Sequence, residues 1–264
     1  MERSALVKEA GIEERSHYEE SHDPALRQVL EQAHVFAETI VQCKFSPIER
    51  EAFSKIIRQF NTLYWEMALQ TWMITRWRGV PVFKPPTDLW IYQELMYSLK
   101  PDVIIETGTC AGGSALFLAD MMSMMRIEGR VITIDIDCQG LHEEFTRRLE
   151  NNELYMQDLV FLNGSSVDPE CIRMVKEKIR PSDKVAVILD SDHSYEHVTK
   201  ELELYAPLVT KGSALIIEDT SNTETTKQAV TDWYLDHRKE FKQDVMCEKF
   251  MLTFSRDGFY ERTV

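Results

Sequence analysis

An α/β fold with a doubly wound, mostly parallel sheet and an N-terminal helical extension is predicted by three features of this 264-residue chain. Short apolar, β-rich runs begin at Val103, Val131, Leu159, Val185 and Ala214, at intervals of 28, 28, 26 and 29 residues. Each interval holds a helix-compatible segment, which is what right-handed βαβ crossovers need. The runs are continuously apolar rather than alternating, so both faces of the sheet should be covered.

Composition sets outer limits. Hydrophobic residues make up 44% and charged residues 28%, an ordinary globular balance. The net charge of −14 repels phosphate backbones and anionic lipid, so neither nucleic acid nor a membrane surface is expected as a partner. No apolar run approaches the ~20 residues of a membrane span. The N-terminus has mixed charge and no apolar core of the kind a signal peptide carries. Five scattered cysteines (Cys43, Cys110, Cys138, Cys171, Cys247) without a CxxC fit a reducing cytoplasm better than a disulfide framework.

In chain order, residues 1 to about 24 are polar and should pack loosely. Apolar residues then recur at three- and four-residue steps, from Leu26 to Ile40 and from Phe53 to Tyr64, predicting two or three amphipathic helices. Residues 1–76 are therefore expected to form the helical extension and 77–264 the α/β domain. An aromatic stripe from Phe60 to Trp77 suggests a core-packing or self-association face, and hence a homo-oligomer. Pro81, Pro85 and Pro86 mark a loop, and a helix is expected from Asp88. Expected strands follow at Val103–Glu106, Val131–Asp135, Leu159–Leu162, Val185–Asp190 and Ala214–Glu218. The tail, Lys249–Phe254 and Gly258–Tyr260, should add one or two closing strands.

Ligands of such sheets sit beyond the carboxyl ends of the strands. Those ends read Glu106-Thr-Gly-Thr, Asp135-Ile-Asp, Gly164-Ser-Ser, Asp190-Ser-Asp-His and Glu218-Asp-Thr. Any one polar strand end is ordinary, but five together are not. Gly108, Gly112 and Gly113 stand at steps of four and one, which does not match the GxGxxG of dinucleotide sites. The turn still lets backbone approach a nucleoside or amino-acid ligand, and Glu106 beside it favours a cation. Asp135 can accept hydrogen bonds from ribose hydroxyls. Asp190, Glu218 and Asp219 gather negative charge that needs a cation; a divalent ion such as Mg²⁺ is the simplest. His193, three residues past Asp190, can take a proton from a hydroxyl held there. The run His193-Ser-Tyr-Glu196-His197 also matches H-x-x-E-H of certain zinc proteases, but it directly follows a buried strand rather than lying within a helix.

Taken together, Lys84-Pro-Pro-Thr-Asp-Leu-Trp-Ile-Tyr-Gln-Glu, Lys100-Pro-Asp-Val-Ile-Ile-Glu-Thr-Gly-Thr, Gly112-Gly-Ser-Ala-Leu-Phe, Val131-Ile-Thr-Ile-Asp-Ile-Asp, Asn163-Gly-Ser-Ser, Ile188-Leu-Asp-Ser-Asp-His-Ser and Ile217-Glu-Asp-Thr resemble the cephalosporin hydroxylase family over about residues 77–220. Despite its name, that family looks like class I S-adenosylmethionine (SAM)-dependent O-methyltransferases with a Rossmann-like sheet, including enzymes that act on rhamnosyl and macrolide sugars. The resemblance implies a small-molecule acceptor, with SAM and Mg²⁺ or another divalent cation as cofactors. It implies that Glu106, Gly108, Thr109 and Ser114 frame the methionine part of SAM and Asp135 its ribose. Gly164, Ser165 and Ser166 would border the adenine, with Asp190 also near the cofactor. Asp190, Glu218 and Asp219 would hold the metal, Asp192 being a competing carboxylate, and His193 would be the base. Trp90, Tyr195 and Asn222 are candidate acceptor-pocket residues. Methylation at carbon of a diphosphate-like molecule, or a catalytically silent SAM-binding subunit, are the alternative readings.

Overall fold

The computed structural model describes residues 47–66, 71–136 and 159–264. The chain divides into two compact units, Met1–Phe53 and Ser54–Val264. The helices expected between Leu26 and Ile40 lie outside the described residues, as do Cys43 and Cys138. Helix α1 runs Pro47–Glu66 and α2 Thr71–Ile74. A small antiparallel hairpin, β1 (Arg76–Trp77) and β2 (Val80–Pro81), leads into α3 (Pro86–Leu99), which begins with proline in its first turn.

The main sheet then builds in the expected rhythm. Its elements are β3 (Val103–Thr107), α4 (Gly113–Met124), β4 (Arg130–Asp135), β5 (Leu159–Asn163), α5 (Pro169–Glu177), β6 (Val185–Leu189), α6 (Tyr195–Tyr205), β7 (Ala214–Ile217), α7 (Glu224–His237), β8 (Phe241–Gln243) and β9 (Phe259–Arg262). The seven strands lie in the order β5-β4-β3-β6-β7-β9-β8. Strands β3 to β7 pair parallel, and β9 is antiparallel to both β7 and β8. The path runs outward from β3 to β5, then returns to lay β6 beside β3. A doubly wound sheet opens its ligand crevice at that reversal.

Successive residues of the central strands feed opposite cores, because side chains alternate across a sheet. Val103, Ile105, Val185, Val187 and Leu189 pack on the α5–α6–α7 side. Ile104 and Ile188 pack on the α3–α4 side. Two apolar cores therefore clamp the sheet and hold its strand ends rigid.

The closing strands differ in part from expectation. The first is Phe241–Gln243, and Lys249–Phe254 forms no strand. Instead, Phe254 is buried (2% exposed) with its ring edge-on to Trp65 and Trp72 at centroid distances of 5.0 and 5.7 Å. Its amide donates to Asp88 Oδ2 at 3.0 Å. Packing against aromatic rings and a carboxylate takes the place of sheet pairing there. Among the described residues no helix is long and apolar enough to cross a membrane, and the buried Cys171 is a free thiol.

Candidate active site

The reversal point is built by close approach of two strand ends. Thr107 pairs with Leu189, and the amide of Asp190 donates to Thr107 O at 3.1 Å. Gly108 follows with φ of 83°, and a β-carbon on it would lie 1.8 Å from the carbonyl oxygen of Asp190. Only glycine lets the first turn close onto β6.

Beneath that turn Glu106 is fully buried. Thr109 Oγ1 meets Thr133 Oγ1 at 2.6 Å, and Thr133 donates to Glu106 Oε2 at 2.7 Å. Ser114, on the first turn of α4, helps to favour the ionised Glu106 carboxylate. Thr109 and Ser114 thus sit in the buried layer that holds Glu106, 1% and 4% exposed. Glu106 Oε1 is buried with no hydrogen-bond partner. Burial pushes the Glu106 carboxyl up to about 7 against the opposing pull of Lys84. A buried oxygen without a donor fits an incoming cationic amine. At the neighbouring strand end, Asp135 Oδ2 accepts the Cys110 amide at 2.6 Å, tying β4 to the glycine turn. Gly164, Ser165 and Ser166 form the turn after β5, where Ser166 is buried and its hydroxyl lies 3.0 Å from His197 Nε2.

On the other side of the reversal, Asp190, His193 and Asp219 converge. One ligand atom from each lies within 4.8 Å of the others. His193 Nε2 is 3.5 Å from Asp190 Oδ1 and 3.3 Å from Asp219 Oδ2, yet makes a hydrogen bond to neither. Two carboxylates and an imidazole within that span form a donor set that fits a divalent cation. Asp219 has φ of 56°, and Asn222 Nδ2 donates to its Oδ1 at 2.8 Å. Burial and the neighbouring Asp190 push Asp219 up to about 6. Burial works against ionised Asp190, but Lys84 and His193 outweigh it and hold the carboxyl below its usual range. Burial likewise opposes the His193 imidazolium, and Asp190 and Asp219 outweigh it, raising the His193 pKa.

Several expected site residues land elsewhere. Glu218 is not in the converging group: its Oε1 accepts Tyr92 OH and lies 2.7 Å from Lys84 Nζ. Adjacent residues leaving a strand face opposite sides, so Glu218 turns toward α3 while Asp219 turns toward His193. Asp192 is exposed, its Oδ1 accepting the Ser194 amide at 2.7 Å, and stands apart from that group. Asn222 braces Asp219. Tyr195 OH donates to Asp232 on α7 at 3.1 Å. Trp90 is exposed (58%) and its indole N–H bonds Glu94. The zinc-protease pattern dissolves as well: His193 joins the acids, Glu196 is exposed and His197 faces Ser166 and Ser191.

Sequence reasoning assigned no role to Lys84. Its ammonium is nearly fully buried and paired with both Asp190 and Glu218. Burial disfavours that charge, but Asp190, Glu218 and Glu106 override it and raise the Lys84 pKa well above its ordinary value. The available signal was the Lys84-Pro-Pro run, since a residue before proline is held extended and the acid cluster required a cation.

This sheet order, with its one reversed strand and acids at the strand ends, defines a class I SAM-dependent methyltransferase, here an O-methyltransferase. The chain belongs to the rhamnosyl O-methyltransferase/CmcI family, whose model matches residues 69–263. It is 31% identical over 211 residues to a rhamnosyl O-methyltransferase of Mycobacterium leprae (strain TN), an alignment covering 75% of this chain and 87% of that protein. It is 33% identical over 158 residues to the rhamnosyl O-methyltransferase of Mycobacterium tuberculosis (strain ATCC 25618 / H37Rv), covering 60% of this chain and 61% of the relative. Among solved structures, the fold is similar to one described as cmcI-D160 Mg-SAM (TM-score 0.56, 21% identity, covering 73% of this chain and 78% of that one). A CmcI-N160 apo-structure follows (TM-score 0.52, 21% identity, covering 72% and 76%).

Proposed function

We propose that the enzyme methylates a hydroxyl of a sugar or a sugar-bearing natural product, using a divalent cation held by Asp190 and Asp219 and His193 as the base. The observation that carries this reading is His193 Nε2 poised between Asp190 and Asp219 without a hydrogen bond of its own. SAM, when bound, supplies a methyl group on a positively charged sulfur. A divalent cation, when bound, supplies positive charge that makes an acceptor hydroxyl more acidic.

The chain's own residues do the rest. Glu106 receives the amino group of SAM on its free oxygen, Asp135 takes the ribose, and the turn at Gly108 lets the backbone approach the cofactor. Gly164, Ser165 and Ser166 border the adenine. His193 Nε2 accepts the hydroxyl proton, and the two flanking carboxylates stabilise the imidazolium that forms. Lys84 compensates Asp190 and Glu218 and keeps the acid cluster in place. Holding nucleophile and methyl in line supplies much of the remaining rate. Rhamnosyl acceptors are the first to try, because two relatives carry that name.

We also infer that the enzyme works in the cytoplasm and self-associates through the face of α1 carrying Ile56, Phe60 and Leu63, all exposed. Light scattering of the full chain tests the latter.

The central experiment is calorimetry with SAM followed by a methyl-transfer assay on rhamnose-containing acceptors, with and without exhaustive chelation. SAM binding, with O-methyl product that vanishes on chelation and returns with Mg²⁺, is the expected result. No SAM binding, a carbon-methylated product, or turnover untouched by chelation would each overturn the corresponding part.

A further inference from the structure

Helix α6 carries an unusual inward face. His197, Glu201 and Tyr205 recur at steps of four, so they stack along one side of the helix, where apolar Val198 and Leu202 are its buried neighbours. His197 Nε2 lies 3.0 Å from Ser166 Oγ and 3.0 Å from Ser191 Oγ. Ser191 donates its hydroxyl to Glu201 Oε1 at 2.7 Å, and Tyr205 OH donates to the carbonyl of Ser166 at 2.8 Å. Glu201 is 1% exposed. A buried carboxylate held by a hydroxyl and an imidazole is costly compared with an apolar side chain, so the arrangement calls for a role other than bulk stability.

Ser166 belongs to the loop after β5 and Ser191 to the loop after β6. The polar face of α6 ties these two loops together across the strand ends. It is not a hydrolytic triad, because Glu201 and both serines address the same nitrogen of His197, with Glu201 Oε1 at 3.6 Å. A base-orienting carboxylate would have to reach the other ring nitrogen.

We propose that His197 and Glu201 are positioning residues for the adenosine half of the cofactor. They hold the Ser166 and Ser191 hydroxyls 3.5 Å apart, and so fix the Gly164–Ser166 turn that borders the purine. The inference rests on the functional reading above, in which Gly164–Ser166 border the adenine. With its hydroxyl engaged by His197, Ser166 contributes its backbone to that border.

The test measures S-adenosylhomocysteine affinity by calorimetry, Mn²⁺ affinity by electron paramagnetic resonance, and the KM for SAM against kcat in the full chain. His197→Ala should raise the Kd and the SAM KM at least about tenfold, while Mn²⁺ affinity holds and kcat at saturating SAM falls far less. His197→Gln, which keeps a nitrogen at similar reach, should recover most of the affinity, and Glu201→Gln should lose several-fold. If His197→Ala does not fold, His197→Gln and Glu201→Gln still decide the matter: both binding as wild type does would overturn the proposal. A loss of kcat or Mn²⁺ affinity with cofactor affinity intact would overturn it too. Failure of the wild-type protein to bind S-adenosylhomocysteine would instead bring down the functional reading, and this inference with it.

Discussion

Lys84 Nζ lies 2.7 Å from Glu218 Oε1, and the two side chains are only 3% and 2% exposed. The same ammonium pairs with Asp190. A single buried cation therefore joins the ends of β6 and β7 to the loop before α3. Removing one partner of a buried pair strands the others. Lys84→Met should cost about 3–5 kcal/mol of folding stability, measured by urea unfolding, and should depress methyl transfer through loss of Asp190 placement. Wild-type stability in Lys84→Met would show that the acids do not depend on it.

Glu106 must be ionised to receive an ammonium group, and burial holds its carboxyl at about 7. Below that pH, SAM binding has to expel a proton. The Kd for SAM should fall as pH rises toward 7, by as much as about tenfold per pH unit, and level off above it. Glu106→Gln should weaken binding and flatten the slope. A Kd independent of pH between 5.5 and 8 in the wild type would remove Glu106 from cofactor recognition.

His193→Ala separates base from ligand. If His193 is the base, methyl transfer drops by about 10²–10⁴-fold, while SAM and divalent-ion affinities stay near those of the wild type. Loss of ion binding in this variant would make His193 a metal ligand instead.

Asp88 is buried beneath the same network, with Oδ2 bonded to the Phe254 amide and Oδ1 without a partner. Burial, aided by nearby Glu218, pushes its carboxyl up to about 8. Because the folded pKa exceeds the unfolded one, the folded state binds the extra proton. Asp88 therefore favours folding below about pH 4, and that contribution drains away as pH climbs to about 8. Asp88→Asn removes this dependence. Its stability relative to wild type should rise between about pH 4 and 8 and level off above, with a slope of at most about 1.4 kcal/mol per pH unit. Parallel stability curves would show that Asp88 does not titrate in this way.

The five parallel strands were legible because each is a short apolar run between helix-compatible segments, and the observed ends differ from expectation by a residue or so. Asp190, Glu218 and Asp219 were expected to gather, with His193 beside them, because each follows a strand end on the same edge of the sheet; in the structure Asp190, His193 and Asp219 converge. Glu218 was expected in that group, and its side chain reaches Tyr92 and Lys84 instead, because adjacency in sequence says nothing about which side of the chain a side chain leaves. Lys249–Phe254 was misjudged because an apolar run that plugs against Trp65 and Trp72 looks the same as one that pairs in a sheet.

Local pattern was enough for the βα rhythm, the glycine at position 108 and the ring of acids at the strand ends. These depend on the backbone a few residues either way and on the handedness of the crossover. Only the tertiary structure decided that Lys84, 106 residues before Asp190, supplies the buried positive charge, and that α6 reaches back with His197 and Glu201 to tie two loops together. Pairings of that kind form when distant segments pack on one sheet, and no periodicity in the chain records which of its charges will meet.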